Sequence, residues 1–285
     1  MSIFGNPFSG DLRHSRLVAL PASRAARIAP GLVAIAAVGL FAATSLADVQ
    51  ALVGEANGNL TQLDITTGTS STLRNAGVAV LGLAYHPTET TLYGAVANSV
   101  ADPSSLVNIN QTTGAYTVIG AHGVDLATLT NLSDGRLFGV DVEDNLYQVN
   151  PSNGAASLIG PTGLSSTGTS DFSLASNGTT LYYTYSANGG VSSLYTLSLS
   201  TGAATTVGST GVSGIVGSAF AGPTFATGSL YEFLTNGQTD SINLSTGAAT
   251  FVNDNGLGDI YTAWASSRQR PSRPAHCSSS PVGSE

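Results

Sequence analysis

The chain has 285 residues, 42% hydrophobic and only 9% charged, and it contains no lysine. Such a composition buries a core and is not that of a disordered chain. Between residues 48 and 266, Arg74 and Arg136 stand against fifteen Asp and Glu residues. The resulting excess of negative charge excludes nucleic acids and anionic membranes as partners, because both are held through Lys and Arg.

At the N-terminus, Arg13, Arg16, Arg24 and Arg27 precede the uncharged run "GLVAIAAVGLFAAT" at 31–44, followed by the small residues Ser45 and Ala47. A basic flank, a short apolar run and small residues predict a secretory signal peptide over 1–47, cut before Asp48. The run is shorter than the ~20 residues a membrane-spanning helix needs, so no stable span is expected after cleavage. The expected location is secreted or cell-surface. Cys277 is the only cysteine, which rules out an intrachain disulfide.

The next stretch is repetitive. "LDITTG" (63–68), "INQTTG" (109–114), "VNPSNG" (149–154), "LSLSTG" (197–202) and "INLSTG" (242–247) share one pattern. Their glycines, Gly68, Gly114, Gly154, Gly202 and Gly247, give a period near 45 residues. That is the period of four-stranded propeller blades, at ~40–50 residues. In each turn Asp64, Asn110, Asn150, Ser198 or Asn243 has a short side chain suited to accept from nearby backbone N–H groups, and the glycine supplies a positive φ. The flanks alternate in polarity as strands do, with Leu146 and Gln148 on one face and Tyr147 and Val149 on the other.

Between these hairpins lies a second strand–turn–strand phrase, at 83–96, 129–140, 174–185 and 220–233, marked by Leu92-Tyr93, Leu137-Phe138, Leu181-Tyr182 and Leu230-Tyr231. Each unit thus has four strands, a to d. The body opens at 49 with b, c and d but no a, and it ends in "IYTAWA" (260–265), an a strand with nothing after it. Joining the two ends completes one blade and leaves no free edge. The prediction is an all-β chain over 48–266, a single β-propeller of five four-stranded blades closed by pairing the C-terminal strand with the N-terminal blade. Six blades is the alternative, if 161–171 or 208–219 hides a strand. Residues 267–285 are polar, Pro- and Ser-rich and basic, and are expected to be a disordered tail.

The repeated "LYxxNxxxGAxxxxG" phrase resembles secreted bacterial β-propellers with YVTN- or quinoprotein-like repeats, many of them domains of unknown function. The resemblance covers 48–266 and implies an extracytoplasmic propeller without a single family reaction. Trp264 is the only tryptophan, so the tryptophan docking motifs of quinoprotein blades are absent and no quinone cofactor is implied.

In a propeller the d–a and b–c connections emerge on one face, the usual ligand face. The strand assignment places Glu55, Asp102, Asp125, Asp141, Glu143, Asp144, Asp171, Asp254 and Asp259 there, against Asp64, Glu89 and Asp134 opposite. Asp125, Asp171, Asp254 and Asp259 are the candidate ligand-binding residues. Asp141, Glu143 and Asp144 crowd one b–c loop as an oxygen-only donor set suited to Ca2+. His86 and His122 read as surface turn residues on opposite faces. With no nucleophile motif, the expected function is an exported, non-enzymatic, monomeric binding or cell-surface interaction module that uses its acidic loop face toward an extracellular protein or glycan. The alternative is a secreted glycoside hydrolase or lyase using carboxylates at the channel.

Overall fold

The computed structural model describes residues 49–55, 57–86, 91–96, 104–164, 170–221, 228–257 and 260–266. The expected signal peptide and tail lie outside the described residues, as do Asp102, Glu89 and Asp259. Blade 1 contains β1 (Gln50–Glu55), β2 (Asn59–Asp64) and β3 (Ser70–Asn75); blade 2 contains β4 (Val80–Tyr85), β5 (Leu92–Val96), β6 (Ser105–Ile109) and β7 (Tyr116–Ala121). Blade 3 is built from β8 (Thr130–Asn131), β9 (Leu137–Val140), β10 (Asn145–Val149) and β11 (Ala156–Pro161), and blade 4 from β12 (Ser170–Ser176), β13 (Leu181–Ala187), β14 (Val191–Leu197) and β15 (Ala204–Ser213). Blade 5 comprises β16 (Ile215–Ala221), β17 (Ser229–Leu234), β18 (Gln238–Ile242) and β19 (Ala249–Asp254). The last strand, β20 (Ile260–Ser266), pairs antiparallel with β1 and completes blade 1.

The fold is therefore the expected five-bladed β-propeller with the expected closure. A sixth blade has no place in 208–219, where β15 runs to Ser213 and β16 begins at Ile215. Blade 3 departs from the pattern at its inner strand, since β8 has only two residues. Upstream of it the Thr128 hydroxyl, rather than a backbone carbonyl, accepts the Val140 N–H at 3.0 Å. A side chain thus substitutes for part of the ladder there.

Five apolar clusters, one per seam, hold the ring. Leu52, Leu60, Leu83 and Val107 join blades 1 and 2, and Ala84, Leu106, Leu126 and Leu137 join blades 2 and 3. Phe138, Leu146, Leu181 and Tyr183 join blades 3 and 4, while Val53, Leu63, Ala219 and Phe233 close blade 5 on blade 1. Among the described residues the blade 4–blade 5 cluster is the smallest, with Ala175, Leu194, Phe220, Leu230 and Ile242 buried. Outer strands such as β3 and β7 hold no buried residue, and β3 is mostly exposed, which is why their sequences are polar.

The repeated turn does what its residues suggest. The Asp64 and Asn110 Oδ1 atoms each accept two backbone N–H groups at 2.8–3.1 Å, and Ser198 Oγ and Asn243 Oδ1 do the same less tightly. The five turn glycines have φ between 71° and 80°.

A second role of these glycines was not visible in the sequence. Each outer strand carries a β-bulge, and the residue six after the turn glycine lies at it: Arg74, Gly120, Gly160, Gly208 and Asn253. The bulge, added to the sheet twist, bends the outer strand onto the c–d turn of the next blade. A Cβ on Gly154 would lie 2.3 Å from Gly120 O, one on Gly202 2.2 Å from Gly160 O, and one on Gly247 2.4 Å from Gly208 O. Turn glycine and bulge glycine therefore interlock from blade to blade. At the closing seam Asn253 takes the bulge position and donates its side-chain amide to Ile65 O at 2.6 Å.

Candidate functional site

On blade 3 the structure brings together residues far apart in sequence. Val142 N donates to Asp125 O at 3.2 Å, and Leu126 bridges Asp141, so the d–a connection lies beside the 141–144 turn. Asp125 and Glu143 are exposed and flank Val142, itself 52% exposed.

The 141–144 carboxylates do not converge on one ion. Asp141 is buried and turned onto its own loop, its Oδ1 accepting from Glu143 N at 3.0 Å and Asn145 N at 2.8 Å. Burial, and then the Asp141 carboxylate, push the Tyr147 hydroxyl up to about 12. Asp144, in the left-handed region at φ 62°, is also buried and accepts from the Tyr183 hydroxyl of blade 4 at 2.7 Å. Glu143 alone faces solvent. The loop spends its acids on its turn and on a blade–blade bond, and no group of three Asp, Glu, His or Cys side chains among the described residues is placed to hold a metal.

Asp254 stands at the start of the connection that leaves blade 5, as assigned. It ends the outer strand β19, exposed, with its carbonyl against Gly68 in the blade 1 turn. His122 differs from its expected surface position. It is 2% exposed at the blade 2–blade 3 seam, with Nδ1 2.8 Å from Gly154 O, and burial lowers its pKa. His86 stays at the opposite face, lining a cleft of about 470 Å³ with Asp134 and Arg136, which form a 2.8 Å ion pair.

Asp171 leads to a group that sequence reasoning missed. It sits near the start of β12, half-buried, its carboxyl pKa raised by desolvation, with its Cα opposite that of Ser186. One rung deeper on the same face Ser173 lies opposite Thr184, and one rung below that Ala175 lies opposite Tyr182. Tyr182 packs on Phe220 of blade 5, 5.4 Å between ring centroids, which fixes this as the face toward blade 5. On the blade 5 side Phe220, Leu230 and Ile242 form one row, and Ser218, Glu232 and Asp240 form the next row toward the mouth. The seam is thus apolar at its base and polar above.

Glu232 is fully buried, and its Oε1 accepts from the Thr184 hydroxyl across the seam. Desolvation, reinforced by the charge of Asp240, pushes its carboxyl up to about 8. Asp240 is 3% exposed and also raised by desolvation. Glu232 Oε2 and the hydroxyls of Ser173, Ser186 and Ser192 have no hydrogen-bond partner among the described residues. Neither Arg74, Arg136, His86 nor His122 belongs to blade 4 or blade 5, so no cationic side chain of the described residues opposes these acids from either sheet. The signal available in sequence was positional. The Glu232 position in "LYEFL" is held by Gly94 in "LYGAV" and Gly139 in "LFGV", so a carboxylate there breaks an apolar strand.

Fold and site thus define a five-bladed propeller with the exposed carboxylates Asp125 and Glu143 beside Val142 on blade 3 and the buried carboxylates Glu232 and Asp240 at the blade 4–blade 5 seam. The sequence model of a family described as "Domain of unknown function (DUF4394)" matches residues 127–221. No curated protein matches the sequence. Among solved structures, a chain from the "Crystal structure of Nidogen/Laminin Complex" is similar, with a TM-score of 0.52 and 11% identity over 76% of this chain and 98% of that one. At that identity the likeness shows the fold alone.

Proposed function

We propose that this chain is an exported, non-enzymatic propeller that works as a binding or cell-surface interaction module through its acidic loop face. One observation carries the reading: Asp125 and Glu143, brought together from two connections of blade 3, present two exposed carboxylates around the exposed Val142. Acidic groups around an apolar contact suit a partner with basic side chains beside an apolar patch, or a glycan with cationic substituents. The solved propeller it resembles belongs, by its title, to a protein–protein complex, which favours a protein partner. Export rests on the signal-like 1–47 segment and on the resemblance to secreted repeat propellers. Among the described residues no helix is long and apolar enough to cross a membrane.

The reading is tested with the immobilised full chain against a lysine-rich peptide and a panel of cationic and neutral glycans. Binding that weakens at least about tenfold in Asp125→Asn/Glu143→Gln, and falls steeply with salt, supports it. Unchanged affinity in that variant overturns it. So does release of sugar from a polysaccharide panel that Asp125→Ala or Asp171→Ala abolishes.

A further inference from the structure

We propose that the seam between blades 4 and 5 holds one Ca2+ ion, bound by the Glu232 and Asp240 carboxylates together with the hydroxyl oxygens of Ser173 and Thr184. The site is separate from the exposed blade 3 mouth and from the 141–144 loop, and it stands or falls independently of the binding function.

Three observations converge on it. Glu232 and Asp240 occupy directly opposed positions on neighbouring strands β17 and β18, where cross-strand side chains on one face lie roughly 5 Å apart. Carboxylates so placed, 0% and 3% exposed, are relieved of their mutual repulsion either by a proton on one of them or by a cation between them. Second, the opposing blade supplies hydroxyls instead of a base. Thr184 is bonded to Glu232, and Ser173 lies opposite Thr184 on the neighbouring strand. Third, Glu232 Oε2 and Ser173 Oγ, both deeply buried, have no hydrogen-bond partner among the described residues. A buried carboxylate oxygen without a partner carries a desolvation penalty that a bound ion relieves.

The donor chemistry selects the occupant. Every candidate ligand atom is oxygen, which suits a hard cation and disfavours zinc or copper. Two carboxylates balance one divalent charge. Ca2+ accepts about six to eight oxygens in irregular arrangements, so two carboxylates, two hydroxyls and water satisfy it, whereas Mg2+ demands a near-ideal octahedron. Asp171 and Ser186, one rung nearer the mouth, offer an acidic and hydroxylic path by which the ion enters. Because the ligands come from both sheets, the ion would tie blade 4 to blade 5 where the apolar cluster of the described residues is smallest.

The test is calorimetric titration and thermal unfolding of the full chain stripped with chelator, at pH 7, with CaCl2 and separately with MgCl2. The expected result is one Ca2+ site and a midpoint rise of about 5–10 °C when Ca2+ stands at one hundred times its dissociation constant. Glu232→Gln and Asp240→Asn should each remove heat and shift while keeping the wild-type far-ultraviolet dichroism; Asp134→Asn, on the opposite face, should keep both. Absence of heat and shift in the wild type overturns the proposal. An undiminished Ca2+ response in Glu232→Gln, or a Mg2+ response equal to that of Ca2+, also overturns it.

Discussion

Gly160 is the sharpest place to test the interlock between blades. Unlike the turn glycines it does not have a positive φ, so alanine there meets no backbone strain of its own. Its Cβ would instead lie 2.2 Å from Thr201 O and 3.1 Å from Thr201 C, in the turn of the next blade. Normal contact needs at least ~3.2 Å, so blade 4 must retreat by roughly 1 Å, and overpacking of that kind costs about 1–3 kcal/mol. The lower entropy of the unfolded alanine chain offsets about 0.4–1 kcal/mol. The net loss should be ~1–2 kcal/mol, or about 2–8 °C in midpoint for a body of this size. Gly163→Ala is the matched control: φ is 78° with nothing within 4 Å, so it carries backbone strain of ~1–2 kcal/mol without a clash. Gly202→Ala combines both penalties and should be the worst of the three, because its Cβ would lie 2.2 Å from Gly160 O. Since Gly160 and Gly202 press on each other, the displacement forced by one makes room for the other, and the double variant should cost less than the sum. The assay is reversible urea unfolding with a thermal melt in parallel. Gly160→Ala at or above wild-type stability, or strict additivity in the double variant, would refute the interlock.

Tyr183→Phe should lose about 1–3 kcal/mol in the same urea assay, because the buried Asp144 carboxylate loses its hydroxyl donor. In chelator, wild-type stability should fall as pH rises from about 5 to 8. Glu232 holds its proton in the fold to about 8 and releases it at an ordinary 4.5 when unfolded, so its contribution is complete below 4.5 and lost by 8. Asp240, opposite it, and Asp171, further up the same seam, shift the same way through desolvation, while the hydrogen bond from Thr184 works against the rise at Glu232. Glu232→Gln should therefore flatten that slope and be the more stable protein at pH 8 in chelator; an equal slope in both proteins contradicts the buried acid. Truncation before Ile260 leaves the edge of β1 unpaired, and size-exclusion chromatography should show self-association with loss of a single sharp melt. A monomer that melts as sharply as the full chain would show that β20 is dispensable.

The architecture was legible because it is written in turns. A short oxygen-bearing side chain four residues before a glycine forces the same hairpin each time, and the missing strand at one end matches the extra strand at the other. The site was less legible, for two physical reasons. Strand position in a flat scheme groups Asp254 with the other loop acids, but the recurring bulge bends the outer strand, and Asp254 lies with its carbonyl against the Gly68 turn of the next blade. Counting carboxylates by loop also treats all of them as solvent-facing. Asp141 and Asp144 are consumed as hydrogen-bond acceptors inside the fold, whereas Glu232 and Asp240, hidden in strands, were not counted. Only Asp171 links the two readings, because it lies at the upper end of the seam those acids share.

The closing strand has a further consequence. Gln50 and Ser266 sit opposite each other on one rung, so the described body begins and ends at a single point on the ring. A covalent link of a few residues would join them, so a permuted chain can be opened at any other connection. The five seams are equivalent in topology but not in chemistry: four rest chiefly on apolar contacts, and one is acidic. For a circularly permuted chain, the choice of cut thus becomes a probe of which seam the ring depends on.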